Sequence, residues 1–306
     1  MNIEYFEVDD KYDGERLDKF LAVIYPSQSR TFFQKLIKED HVFVNDSVEK
    51  ANYRVHLDDV VRIEIPPAVP VTILPEEIPL DILYEDEDVL VVNKPKGMVV
   101  HPCPGHYTGT LVNAVMYYCR DRLSGINGEI RPGIVHRIDK DTTGSLIVCK
   151  NDSCHKHIAE QIKEHSVTRR YRGIVTGVVK ESSGRIEGAI GRHPTDRKKM
   201  AVNEKNGKPA VTHYKVLETF SNASFMEFEL ETGRTHQIRV HMASIGHPLL
   251  GDTVYGSIKN PYHLQGQTLH AMTIGFRHPE TKKYVEVSAP LPDYFEKLLL
   301  KFRSQK

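Results

Sequence analysis

The sequence predicts an α+β protein with a central mixed, largely antiparallel sheet, preceded by a small unit of two helices and a few strands. Residues 81–306 contain seven strand-like segments but only three helical ones, and the two kinds do not alternate regularly. A proline-rich segment separates them from the first 66 residues. The chain has 306 residues, of which 40% are hydrophobic, so it is long enough to bury a full core.

Two short helices are expected near the start of the chain. The first has an apolar stripe at helical spacing that ends at a proline (Leu17, Phe20, Leu21, Ile24, Pro26). Ser29 is suited to cap the second helix. The apolar face of that helix consists of Phe32, Phe33, Leu36 and Ile37. Residues 41–46 and 58–66 alternate as strands, and Asn45 and Asp46 suit a turn.

Residues 67–80 contain prolines that sustain neither a helix nor a central strand, so they are expected to form a stiff extended linker. The predicted organisation is therefore a small domain over 1–66, a linker over 67–80 and a large domain over 81–306. The strand-like segments of the large domain are 88–95, 144–150, 171–179, 184–191, 210–219, 223–231 and 283–290. Its three helices are marked by apolar residues near positions 111–118, 158–162 and 238–245.

Composition excludes several classes of protein. Residues 1–15 are acidic and do not resemble a signal peptide, and the longest uncharged run, 97–119, holds prolines, histidines and an asparagine, so no membrane span is expected. Four cysteines without CxxC spacing predict reduced thiols in a cytoplasm. The 16 histidines include no HExxH motif, so no metal site is predicted.

The net charge of zero hides an uneven distribution. Counting Lys and Arg against Asp and Glu gives −5 for residues 1–75 and −5 for residues 76–130. Residues 131–306 contain 28 basic and 18 acidic residues, which is a net charge of +10. This half of the chain is expected to face an anion, although surface lysines that merely solvate strands explain the same excess.

Asp139 is the first candidate for chemistry. It lies in the segment HRIDKDTTG, where it is expected to end a short apolar strand before a tight turn that Gly144 permits. Catalytic carboxylates concentrate at such rims. The alternative is that Asp139 and Asp141 simply cap the turn.

A second cluster occupies residues 229–256. Gly233 is expected to break a strand, Thr235 to cap a helix, and Arg234 to project at the junction. An arginine there is suited to hold a buried carboxylate ionised through a forked ion pair, either for catalysis or only for structure.

Three segments carry a resemblance to a known family. Residues 93–102, 136–144 and 233–252 read NKPKGMVVHP, HRIDKDTTG and GRTHQIRVHMASIGHPLLGD. In this order they closely resemble the signature motifs of the RluA family of pseudouridine synthases. The segments GERLDKFL, SQSRTFFQKLI and VFVND resemble the S4-like RNA-binding module. This layout is most similar to members that act on large-subunit ribosomal RNA.

The resemblance implies a pseudouridine synthase fold and a cofactor-free isomerisation of uridine in RNA. It assigns the essential aspartate to Asp139 and its arginine partner to Arg234. Asp139 would form a covalent adduct, stabilise positive charge on the ribose, or remove a ribose proton to give a glycal, and the sequence leaves all three routes open.

The resemblance also assigns the substrate contacts. Tyr171 is assigned as catalytic: its ring would stack on the freed base, and its hydroxyl would assist deprotonation at C5. Ile238 would line the base pocket with it, and Arg137 would hold the flipped nucleotide or fill the space it leaves. The contacts that the S4-like module is expected to make with RNA come from Arg16, Ser29, Arg30 and Lys35.

The expected partner is RNA, namely large-subunit ribosomal RNA or an assembling subunit. The protein is expected to be a monomer in the cytoplasm that does not bind a membrane. Two other functions are compatible with the residues. One is a non-catalytic RNA-binding or ribosome-assembly factor, and the other is an N-glycosidase, which also places a carboxylate near an anomeric carbon.

Overall fold

The computed structural model describes residues 2–26, 28–66, 73–103, 105–120, 122–126, 131–196, 199–257, 259 and 261–305. The chain forms two compact units, Met1–Val71 and Thr72–Lys306. The division falls inside the predicted linker 67–80, of which residues 67–72 lie outside the described residues. Ile73 is buried in the core of the second unit, and Asn113 Nδ2 donates to Leu74 O at 2.8 Å. The end of the predicted linker therefore packs on the second unit.

The first unit combines two helices with a four-stranded sheet. Its elements are β1 (Asn2–Glu7), α1 (Leu17–Ile24), α2 (Arg30–Lys38), β2 (Val42–Val44), β3 (Ser47–Val48) and β4 (Val60–Ile65). The antiparallel sheet has the order β1-β4-β2-β3. Both predicted helices are present, and Ser29 Oγ accepts from Phe32 N at 3.2 Å, which confirms the predicted cap. Asn45 and Asp46 have φ of 49° and 61°, which suits the turn between β2 and β3.

The second unit is built on one large mixed sheet. Its strands are β5 (Ile82–Glu85), β6 (Val89–Lys94), β7 (Thr143–Cys149), β8 (Thr168–Thr176), β9 (Ser183–Glu187), β10 (Ile190–Arg192), β11 (Met200–Val202), β12 (Val211–Thr219), β13 (Ala223–Leu230), β14 (Leu269–Arg277) and β15 (Tyr284–Ser288). Its helices are α3 (Leu111–Cys119), α4 (Asp152–Lys163), α5 (Gln237–Ser244) and α6 (Asp293–Arg303).

The sheet order is β5-β6-β7-β14-β8-β13-β12-β9, with β15 on β14 and a separate β10-β11 hairpin. Only the β7–β14 pair is parallel among the strand pairs of the described residues. The predicted α+β class with a mixed, largely antiparallel sheet is confirmed.

Several elements were absent from the sequence prediction, namely the short strands β1, β3, β5 and β11, the central strand β14 and the helix α6. The central strand β14 contains His270, which breaks the apolar run but is buried, with Nδ1 2.8 Å from Thr143 Oγ1 and Nε2 3.2 Å from Ala289 O. The C-terminal helix α6 packs four apolar side chains into one cluster with Phe220 and Phe225 (Phe295, Leu298, Leu299, Phe302). Its stripe at positions i, i+3, i+4 and i+7 is a helical signal of the usual kind.

The segment before β7 differs from its prediction. Asp139 does not end a strand, because residues 135–140 have no regular secondary structure and only Ile134 bridges to Val148. Gly144 lies inside β7 with φ of 110°, and a Cβ there would lie 2.2 Å from Ala271 O. The glycine therefore allows β14 to approach β7 and is not part of a turn. The turn lies before it, at residues 139–142, where Thr142 N donates to Asp139 O at 3.0 Å.

None of the helices in the described part of the chain is long and apolar enough to cross a membrane.

Candidate active site

Residues from two of the three signature segments, 136–144 and 233–252, converge around one cavity of about 540 Å³. The five residues of this unit that the sequence singled out for function line it together (Arg137, Asp139, Tyr171, Arg234, Ile238). The cavity is bounded by the irregular segment before β7, by strand β8 and by the start of α5. Residues more than 90 positions apart in the sequence are thereby brought to a single site.

Asp139 is held at the cavity by a buried arginine. Arg239 Nη1 donates to Asp139 Oδ2 at 3.0 Å. The same guanidinium makes a forked pair with Asp252, with Nε to Oδ2 at 2.7 Å and Nη2 to Oδ1 at 3.0 Å. Asp252 is fully buried, while the side chain of Asp139 stays 17% exposed. One arginine thus serves two carboxylates, and one of the two faces the cavity.

The ionisation of Asp252 and Arg239 follows from this pairing. Burial alone would raise the pKa of Asp252, but the hydrogen bonds and charge of Arg239 lower it below its ordinary value. Burial opposes the charge of Arg239 as well, and the two aspartates nevertheless raise its pKa. The backbone N–H groups of Val254 and Tyr255 also donate to Asp252 Oδ1, at 2.9 and 3.1 Å. Asp252 therefore fixes the arginine that contacts Asp139.

The prediction that Arg234 is the ion-pair partner of Asp139 is wrong. Its Nε donates to Pro209 O at 3.0 Å, and its backbone N–H donates to Gln237 Oε1 at 2.9 Å. Helix α5 begins only at Gln237, so Arg234 lies in the loop before it, whereas Arg239 lies in its first turn. Arg239 is the second arginine of GRTHQIR, three positions before the buried Met242. The sequence signal for Arg239 was its position on the same helical stripe as Met242, which places the arginine on a buried face.

His236, rather than the predicted Thr235, is the N-cap residue of α5, with φ of 57° and no side-chain cap. Its Nδ1 lies 2.7 Å from Tyr255 Oη, which also accepts from Met200 N at 2.9 Å. The phenol hydrogen has no other acceptor among the residues that the structure describes, so it is donated to Nδ1. The neutral imidazole then carries its hydrogen on Nε2, which faces Asp139 Oδ1 at 3.9 Å. Burial lowers the pKa of His236 and so favours this neutral form.

The first signature segment supports the Asp139 loop from behind. The fully buried Lys94 donates from Nζ to the carbonyls of Pro95, Met98 and Lys140 at 2.8, 2.8 and 3.0 Å. Gly97 N also donates to Lys140 O at 3.0 Å. Burial lowers the pKa of Lys94 to about 7. The lysine of NKPKG therefore fixes the backbone next to the catalytic candidate, a role that its sequence position alone did not reveal.

Tyr171 and Ile238 form apolar walls of the cavity and are 8% and 3% exposed. Burial raises the pKa of Tyr171, so its side chain is a neutral phenol. Arg137 is exposed at the rim of the cavity and has no hydrogen-bond partner within the described ranges. Sequence reasoning missed a further lining residue, Arg169, which is buried on β8 two positions before Tyr171.

In the first unit, two of the predicted RNA contacts surround a buried acid. Asp18 accepts from Arg16 Nε at 3.1 Å, from Arg30 Nη2 at 2.9 Å and from Gln34 Nε2 at 2.6 Å. Burial opposes ionisation, yet these donors lower the pKa of Asp18 to about 2. The side chains of Arg16 and Arg30 remain 40% and 47% exposed.

The other two predicted contacts of the first unit are placed differently. Lys35 Nζ lies 3.8 Å from Glu39 Oε1 and is largely exposed. The oxygen of Ser29 is already used as an acceptor in the helix cap.

One group among the described residues has the ligand types for a metal: Asp86, Asp88 and His278. His278 Nε2 lies 2.8 Å from Asp86 Oδ2, and Nδ1 accepts from the backbone of Glu280 and Thr281, so both ring nitrogens are already used. All four cysteines are free thiols, as predicted.

Comparisons with known proteins identify the class. Residues 88–244 match the family model of RNA pseudouridylate synthases, and residues 15–61 match the S4 domain. An uncharacterized RNA pseudouridine synthase, YlyB, of Bacillus subtilis is 51% identical over 96% of both chains. The ribosomal large subunit pseudouridine synthase D of Zymomonas mobilis is 45% identical over 95% of both chains.

The human RNA pseudouridylate synthase domain containing 1 superposes with a TM-score of 0.58 at 26% identity, covering 78% of this chain and 98% of the human one. The chain therefore belongs to the RNA pseudouridylate synthase family, a family of enzymes, and carries an S4 domain ahead of its catalytic unit.

Proposed function

We propose that the protein converts specific uridines of large-subunit ribosomal RNA, free or in an assembling subunit, to pseudouridine, and that Asp139 is its catalytic carboxylate. The reaction breaks the bond from ribose C1′ to uracil N1, turns the base and rejoins it through C5. All three routes open to the carboxylate, namely a covalent adduct, charge stabilisation and a glycal, require it to be ionised.

The observation that carries this proposal is the shared arginine. Arg239 contacts Asp139 and Asp252 together, and its hydrogen bonds and charge lower the pKa of Asp252 against the effect of burial. Oδ1 of Asp139 has no hydrogen bond within the described ranges; it lies 3.9 Å from His236 Nε2, and both residues line the cavity. An ionised carboxylate with a free oxygen is what attack on a ribose carbon or hydrogen needs.

The remaining residues have roles in holding the substrate. The neutral ring of Tyr171 and the side chain of Ile238 enclose the uracil base. Arg137, exposed at the rim, holds the everted nucleotide or takes its place in the helix, which offsets part of the few kcal/mol that unstacking costs. Arg234, whose Nε donates to the Pro209 carbonyl, holds the loop before α5.

The choice of RNA rests on two supports. Several relatives at 40–45% identity carry the name ribosomal large subunit pseudouridine synthase D. The S4 domain presents Arg16, Arg30 and Lys35 as partly exposed cations that suit phosphate, beside Ser29 at the N-terminus of α2. We propose that the enzyme acts as a monomer in the cytoplasm, where this RNA is assembled.

The experiment is a pseudouridine map of large-subunit ribosomal RNA from cells with the protein, without it, and with only the Asp139→Ala variant. The proposal expects one or a few sites to lose modification in both mutant strains. Sites that disappear on deletion but persist with Asp139→Ala would refute the catalytic assignment. An unchanged map in the deletion strain would refute the choice of RNA.

A further inference from the structure

The cavity wall contains a buried guanidinium that has no acid partner. Arg169 is 7% exposed and lies on β8, on the same face as Tyr171. Its Nη2 donates to Glu231 O at 3.2 Å, and its Nε is buried with no partner. No carboxylate of the described residues lies within ion-pair distance of it. The guanidinium has five N–H donors, so most of them are unused.

Burying the guanidinium of Arg169 without an acid partner costs folding free energy. A buried charge is unfavourable unless it is paired and hydrogen-bonded, and burial lowers the pKa of Arg169. The other buried arginine of the site, Arg239, has two carboxylates. The loop also leaves room for Arg169, because a Cβ at Gly233 would lie 2.6 Å from its Nη1. A buried cation without a partner in the chain, beside an open cavity, suits a ligand that brings negative charge.

The proposed reaction generates such a charge on the base. When the C1′–N1 bond breaks, its electron pair stays on uracil, and the negative charge spreads over N1 and the two carbonyl oxygens. Resting on the proposed function, we propose that Arg169 is a catalytic residue that donates hydrogen bonds to the uracil oxygens and stabilises the anion formed when the base leaves the ribose.

The step balances without a cofactor. The electron pair of the broken bond is carried by the ring, C5 then bonds to C1′, the hydrogen on C5 leaves as a proton, and N1 takes up a proton. Arg169 keeps its protons throughout. Its hydrogen bonds strengthen as charge builds on the base, so they favour the transition state over the bound substrate.

The experiment compares Arg169→Met and Arg169→Lys with a matched control, Arg170→Met, in the full-length protein. Arg170 is the next residue of β8 on the opposite face, 39% exposed and 3.7 Å from Glu286. Each variant is mixed in excess with large-subunit ribosomal RNA transcribed with 5-tritiated uridine, and the release of tritium from C5 is followed in a single turnover. RNA affinity and the melting temperature are measured alongside.

We expect Arg169→Met to slow tritium release about 100- to 1,000-fold, as loss of a preorganised donor to a developing anion does. RNA affinity stays within about threefold of wild type, because the contact forms in the transition state. The melting temperature stays level or rises, since an unpaired buried charge has been replaced by an apolar side chain. Arg169→Lys keeps the charge and releases tritium at least about tenfold faster than Arg169→Met. Arg170→Met reacts like wild type.

Three results would overturn the inference. A wild-type rate for Arg169→Met would remove Arg169 from catalysis. A slow rate with a lower melting temperature and no recovery in Arg169→Lys would make the residue structural. A wild-type rate at saturation with weaker, less salt-dependent RNA binding would make it a phosphate contact. Wild type and Asp139→Asn in the same assay test the proposed function separately, because that function fails if wild type releases no tritium or if Asp139→Asn does.

Discussion

The two units solve opposite electrostatic problems with the same pair of residue types. In the catalytic unit one arginine, Arg239, serves two aspartates, and the more exposed carboxylate, Asp139, faces a cavity. In the S4 domain one buried aspartate, Asp18, pairs with two arginines, and both arginine side chains are partly exposed. In the proposed function, the first arrangement leaves the Asp139 carboxylate for a ribose, and the second leaves two arginine side chains for phosphate. The ratio of acid to base, more than the presence of an ion pair, decides what each region can bind.

The largest expected effect is a loss of activity on replacement of Asp139. Replacing it with Asn leaves the pair of Arg239 and Asp252 intact but removes the reactive carboxylate, so we expect activity to fall by about 10³-fold or more. Asp141→Asn, two positions further along the same loop and outside the cavity lining, is the matched control and should stay close to wild type. Tritium release from 5-tritiated uridine in RNA is the measurement, and equal losses in the two variants would contradict the assignment.

The second-largest effect is expected at Arg239, the arginine that contacts both Asp139 and Asp252. Arg239→Gln leaves Asp252 buried without its partner, so we expect the free energy of unfolding to fall by about 3 to 5 kcal/mol, together with activity. Arg234→Gln removes only a hydrogen bond to a backbone carbonyl and should cost about 1 kcal/mol or less. Urea unfolding measures the free energy of unfolding of both variants. A larger loss of that free energy for Arg234→Gln would contradict the assignment of Arg239 and favour Arg234 as the partner of Asp139.

Asp18 stabilises the S4 domain in a pH-dependent way. Its pKa is lowered from 3.8 to about 2, so its stabilisation of about 2 kcal/mol is present above pH 3.8 and is lost as the pH falls through about 2. We expect Asp18→Asn to lower hydrogen-exchange protection of α1 and α2 at pH 7 by that amount. Asp58→Asn, at an exposed turn position, is the control. Unchanged protection in Asp18→Asn would show that the two arginines do not depend on this acid.

The smallest effect concerns the partly exposed guanidinium groups. Arg16→Gln and Arg30→Gln should each reduce the slope of log affinity against log salt by about one, with a modest loss of RNA affinity. Lys11→Gln, whose lysine pairs with Asp9 on a different segment, should leave the slope as it is. Identical slopes in all three variants would mean that the S4 domain does not bind phosphate through this cluster.

The sequence predicted which segments meet but not which atoms do. Helical stripes gave α1 and α2, and the family resemblance gave Asp139, Tyr171 and Ile238, which share one cavity. Linear spacing does not distinguish Arg234 from Arg239, because the outcome depends on where α5 begins and which way its first turn faces. The unpaired state of Arg169 and the hydrogen bond from Lys94 to Lys140 O depend on the packing of segments distant in sequence, and such packing leaves no local pattern.

The most direct test is a double-mutant cycle between Asp139 and Arg239. Single-turnover rates are measured for wild type, Asp139→Asn, Arg239→Lys and the double variant, with lysine chosen because it keeps a charge beside the buried Asp252 but lacks the fork that reaches both acids. If the two residues act as one unit, the double variant reacts no more slowly than the slower single variant. Losses that multiply would contradict the account, because the carboxylate and the arginine would then act independently.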